Sequence, residues 1–63
     1  MTKAEKVDQY SALVLKVAVP LFIREVRTNY GQSNAATEYA FDVAEIFAKA
    51  AIERGFLPDP FTD

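Results

Sequence analysis

Between Asn34 and Arg54 a helical wheel gathers Glu38, Asp42, Glu45, Lys49 and Glu53 into one narrow polar stripe, and nearly every other position is apolar. Ala36, Ala40, Val43, Phe47, Ala50 and Ala51 form the centre of the apolar face. Tyr39 and Ile46 flank it on one side, Phe41, Ala48 and Ile52 on the other. A helix lying on the surface of its own domain needs only about 100° of apolar arc, and this one offers roughly twice that. One neighbouring helix cannot cover it, so a second partner is expected.

The rest of the chain has little to cover it with. Sixty-three residues make one domain at most, and a domain of that size buries only about 60% of the surface its unfolded chain exposes. The sequence has no Cys and no His, so neither a disulfide framework nor the usual zinc ligand sets can staple it. Ordering the chain costs roughly 1.5 kcal/mol per residue, which a two-helix core barely offsets. Self-association is the remaining route to a stable core. The expected interface is Ala36, Ala40, Val43, Phe47, Ala50 and Ala51, joining two copies into a four-helix bundle. The lack of Cys fits a reducing cytoplasm.

The first half supplies the other helix. Thr2 followed by Glu5 has the form of a capping box, in which hydroxyl and carboxylate satisfy orphan backbone N–H groups, so a helix should start at about Lys3. Val7, Tyr10, Val14, Val17 and Leu21 then share one stripe, widened by Leu15, Ala18 and Phe22. Pro20 lacks a donor and its ring clashes with the carbonyl four residues back, so it should kink this helix or split it near Val19. A strand over Leu13 to Ile23 is the competing reading. It fails because the apolar pattern does not alternate and no second strand candidate follows.

Gly31 suits the left-handed residue that ends the first helix after Asn29 or Tyr30, and Ser33 or Asn34 suits the cap of the second. A loop this short implies an antiparallel hairpin. Gly55 ends the second helix in the same way, with Phe56 placed to pack back near Ala51. Pro58 and Pro60 prevent helix beyond it, so residues 56–63 should form an extended tail on a hairpin of residues 1–55. Phe56 and Leu57 are expected to plug the open end, whereas Phe61 is left either to join them or to dock on a partner.

Ala12 to Ile23 is apolar except for Lys16, yet as a helix it rises only about 18 Å, short of a hydrocarbon core of about 30 Å. Lys3 and Lys6 ahead of that run have the outline of a secretory signal, but the leading polar stretch is long and partly acidic, so no cleavage is expected.

The residue inventory excludes most catalysis: without His, Cys or a Gly-rich phosphate loop, no nucleophile and base pair is available. Asp42, Glu45 and Glu38 have spacings that can hold Mg²⁺, but a solvated face with a Glu45–Lys49 pair accounts for them better, and no metal or cofactor is expected. The net charge of −2 disfavours nucleic-acid binding. Its distribution is uneven: Lys3, Lys6, Lys16, Arg24 and Arg27 outnumber the acids of the first half, and Glu38, Asp42, Glu45, Glu53, Asp59 and Asp63 outnumber the bases of the second. Three surface roles follow as expectations. The first is protein binding by contact, with Glu38, Asp42, Glu45 and Phe61 as candidate contact residues. The second is an acidic inhibitor that imitates a nucleic-acid backbone, and the third is membrane association through Ala12 to Ile23.

The run Ala40-Phe41-Asp42-Val43-Ala44-Glu45, preceded by Tyr39 and followed by Ala48 and Arg54-Gly55, resembles the helical segment of small accessory proteins encoded by tailed phages and prophages. The resemblance covers about a third of the chain. It implies a non-catalytic protein that binds a host or phage protein, and brings no assigned functional residues with it.

Overall fold

A computed structural model describes residues 1–28 and 33–62. Two α-helices, α1 (Lys3–Thr28) and α2 (Ser33–Glu53), pack as an antiparallel hairpin, and no strand forms among the described residues.

The start of α1 is the capping box that the sequence predicts. The Glu5 N–H donates to Thr2 Oγ1 at 3.2 Å, and the Thr2 N–H donates to Glu5 Oε1 at 3.2 Å. The helix then runs unbroken through Pro20. Proline has no N–H to offer the Lys16 carbonyl, so one rung of the ladder is missing there. The ring itself lies exposed, and neighbouring turns hold the helix as one element. At the far end the Thr28 hydroxyl donates back to the carbonyls of Arg24 and Glu25, both at 3.2 Å, four and three residues earlier, the usual back-bonding of a helical Thr. The expected left-handed Gly31 and the Ser33 side-chain cap lie outside the described residues. Asn34, the alternative cap, sits within the first turn of α2.

The end of α2 is a Schellman turn. Gly55 has φ +82°, its N–H donates to the Ile52 carbonyl at 3.1 Å, and the Phe56 N–H reaches the Ala51 carbonyl at 2.9 Å.

Packing departs from the simple wheel. The inward row of α2 is Ala36, Ala40, Ala44 and Ala48, at 4%, 1%, 0% and 0% exposure. Opposite it, Val14 and Ala18 are buried, with Tyr10, Leu13, Val17, Leu21 and Phe22 packed against them. Both contact rows advance four residues at a time (10, 14, 18, 22 against 36, 40, 44, 48), the i±4 ridges that helices most often interlock. Methyl groups on α2 let the two backbones approach closely. Val7, expected on the inner stripe of α1, is instead 42% exposed, because the row runs along the four-residue ridge and bypasses it.

The same geometry forces large side chains outward. Phe47, expected at the centre of the apolar face, is 53% exposed, and Ile46 is 69% exposed. Among the described residues none of the large side chains is fully buried.

The tail does not plug the hairpin with Phe56 and Leu57. Phe56 points away at 81% exposure, Leu57 is half-buried, and Pro60 is the buried residue. The Schellman turn fixes the direction of departure, and residues 57–61 then fold back to reach α1. There Phe61 meets Tyr10 edge to face, with ring centroids 5.1 Å apart and planes at 79°. Asp59 Oδ1 accepts the Phe61 N–H at 2.8 Å, an Asx turn that bends the tail just before it docks.

Candidate functional site

The polar chemistry of the hairpin is spread over its outer surface. Glu38, Asp42 and Glu45 all lie exposed on α2, and among the described residues no group of acidic side chains is arranged to hold a metal ion. The expected Glu45–Lys49 ion pair does not form. An ion pair that does form joins neighbours on α1, Arg24 to Glu25 at 3.4 Å, with the arginine well exposed; such pairs contribute about 0–1 kcal/mol. Among the described residues no buried side-chain nitrogen or oxygen lacks a hydrogen-bond partner, so no orphaned polar group points into a cleft.

Glu45 does have one electrostatic consequence. It lies close enough to Tyr10 to act on it: burial first, and the Glu45 charge second, push the phenol above its ordinary value. The ring stays neutral across the physiological range. It serves as the platform on which Phe61 sits.

What remains is apolar surface, gathered into grooves. At the loop end, Leu15, Val19 and Phe22 from α1 and Thr37, Ala40 and Phe41 from α2 enclose about 240 Å³. At the tail end, Phe47, Ala50, Ala51, Arg54 and Phe56 enclose about 370 Å³. A third hollow, between Pro20, Ile23, Arg24, Arg27 and Thr28, combines an apolar floor with two guanidinium groups.

The residues expected to form a self-interface divide between two surfaces. Ala36 and Ala40 are buried within the hairpin itself. Val43, Ala50 and Ala51 are half-buried and Phe47 half-exposed, and the last three line the tail-end groove. Phe61 makes a T-shaped contact with Tyr10 and remains 62% exposed. The alanines at 36, 40, 44 and 48, small side chains of the kind that close helix approach needs, are the buried row, with Ala44 and Ala48 innermost. The contact between Phe61 and Tyr10 was not anticipated and has no local signal, since fifty positions of sequence separate the two rings. No helix of the described residues is long and apolar enough to cross a membrane. Comparison with known protein families, with curated proteins and with solved structures gave no match.

Proposed function

We propose that this hairpin is a non-catalytic protein–protein interaction module that acts as a homodimer, two antiparallel hairpins forming a four-helix bundle in the cytoplasm. One observation carries the reading: the inward row of α2 is alanine, while Phe41, Ile46, Phe47 and Tyr39 stand 40% to 69% exposed on its flanks. A second hairpin laid against such a flank buries the large side chains that the first cannot. A bend at Pro20, where one backbone hydrogen bond is missing, lets α1 curve around its partner. The resemblance to phage accessory proteins supports the same class of role, with a host or phage protein as the further partner.

Solution mass measured against concentration by light scattering, with circular dichroism in parallel, tests this directly. A helical dimer supports the reading, and a stably helical monomer at all concentrations overturns it. Phe47→Glu sharpens the test. With Phe47 half-exposed in the hairpin, the charge should dissociate the dimer and leave a helical monomer, because only in the dimer is it buried without a partner.

The acidic face of α2 favours a second reading, an inhibitor that imitates a nucleic-acid backbone. Glu38, Asp42 and Glu45 are exposed and form no ion pair with one another's neighbours among the described residues. Reversing all three to Lys would abolish that activity without unfolding the hairpin.

A further inference from the structure

The fold divides the apolar run from Ala12 to Ile23 between two sides of α1. Leu13, Val17, Leu21 and Phe22 pack with Val14 and Ala18 against α2. Leu15, Val19 and Ile23, each four residues after the last, form a row on the other side, at 52%, 52% and 46% exposure. Lys16, Arg24 and Arg27 lie exposed along one edge of that row, with Pro20 between them. Between Ala12 and Thr28 the one acidic residue in the sequence is Glu25, and it is half-buried. Arg24 touches it at 3.4 Å and still keeps 63% of its side chain exposed.

At the end of the row, the hollow between Pro20, Ile23, Arg24, Arg27 and Thr28 sets two guanidinium groups beside apolar carbon. The complement of that pairing is a layer of phosphates lying just above acyl chains, as an anionic bilayer presents it. An acidic protein would need carboxylates matched in position to the three cations. A fluid bilayer brings phosphates to them where they stand, and takes up an apolar row without a shaped pocket.

We infer that α1 lies flat on an anionic lipid bilayer, with the row Leu15, Val19 and Ile23 entering the boundary between headgroups and acyl chains and Lys16, Arg24 and Arg27 meeting lipid phosphates. Residues 15–27 cover about 18 Å of helix lying along the surface. Charge fixes the orientation. Glu38, Asp42 and Glu53 are exposed on the side of α2 turned away from α1. They stand at least the diameter of α1, about 10 Å, from the lipid, beyond a screening length of about 8 Å. Glu45, the acid of α2 that acts on α1, does so at Tyr10, on the inward side. Glu5 and Asp8, exposed in the first turns of α1, confine the contact to the part from Leu15 onward. The contact uses α1 and does not depend on the self-association proposed above, which uses α2.

Co-sedimentation of the full-length chain with vesicles tests this, comparing phosphatidylcholine alone with phosphatidylcholine containing phosphatidylserine. Binding is expected to the serine-lipid vesicles and to weaken with added salt. Arg24→Gln with Arg27→Gln should weaken it about 10- to 30-fold, each lost cation counting about fivefold. Val19→Ser with Ile23→Ser should weaken it about 10-fold. Both pairs should stay helical by circular dichroism, since none of the four side chains is buried. The chain has no Trp, so a single introduced indole reports which side meets lipid. Emission of Ile23→Trp should shift to the blue when anionic vesicles are added, and that of Ile46→Trp, on the outward side of α2, should not. Equal binding to the uncharged vesicles leaves the cations no part and overturns the inference. Binding that both pairs leave unaltered, or a shift at Ile46→Trp in place of Ile23→Trp, overturns the face named here. Polyglutamate bound at a salt where the vesicles are not assigns the face to an acidic protein and overturns the bilayer, as does binding to neither.

Discussion

The two sides of α2 are built on opposite principles. Its inward row, Ala36, Ala40, Ala44 and Ala48, has small side chains that are almost wholly buried. Its outward side carries Ile46 and Phe47, large side chains left exposed, with an open groove beside Phe47. Close backbone approach is gained on the first side and apolar burial is left unfinished on the second. Hydrophobicity alone does not decide which residues a helix buries in a hairpin this small. The shape of the row that meets the neighbour decides it.

That contrast breaks first at Ala44. Ala44→Leu adds three carbons where exposure is 0%, so it must separate the helices or force strained rotamers, at about 1–3 kcal/mol. Thermal denaturation should show a clear loss of stability. A neutral result would mean that the helices are not closely apposed along this row, and the comparison would collapse.

Gly55→Ala comes next in size. Nothing lies within 4 Å of a Cβ placed there, so crowding is not the issue. The cost arises from holding an L-residue at φ +82°, about 1–2 kcal/mol. Because the Schellman turn launches the tail, protease cleavage within residues 56–61 should rise in this variant. Loss of stability without greater cleavage would separate the helix end from the docking of the tail.

The elements legible in the sequence were those fixed by local rules. Thr2 with Glu5, and Gly55 with Phe56, specify helix ends through hydrogen bonds a few residues long, and both ends form with the expected donors and acceptors. Helix type followed from period. Row identity did not, because a wheel built at 100° per residue places Phe47 and Ala44 almost equally well inside. The choice depends on the neighbour, where Tyr10, Val14 and Ala18 form a ridge of matching pitch. The tail was illegible for the same reason. Pro58 and Pro60 indicate only that helix stops, and nothing near Phe61 points to Tyr10.

A smaller effect concerns Tyr10, where the tail meets α1. Tyr10 titrates above its ordinary value of about 10, so the folded state holds the phenolic proton more tightly than the unfolded chain does. The stability that this proton contributes is fully present below about pH 10, and is lost as pH rises through the higher folded value. Tyr10→Phe keeps the ring that Phe61 packs on and removes the proton. Denaturation midpoints of the two proteins should therefore differ little at neutral pH and diverge above pH 10, with the wild type falling faster. Parallel curves would mean that the hydroxyl is solvated in the folded state.

Ile46→Ser should have the smallest effect on the hairpin itself, and for that reason it sharpens the comparison most. At 69% exposure the side chain makes little use of its own chain, and surface changes of this kind usually stay within about 0.5 kcal/mol. Measured at a concentration where the protein is monomeric, its melting temperature should match the wild type. If the flank is covered in a dimer, the same substitution weakens association, and the difference between the two proteins then grows with concentration, because mass action ties dimer stability to protein concentration. A difference that is constant with concentration would assign Ile46 to the hairpin; a difference that grows assigns it to the partner, and makes the outward side of α2 the place where this fold is completed.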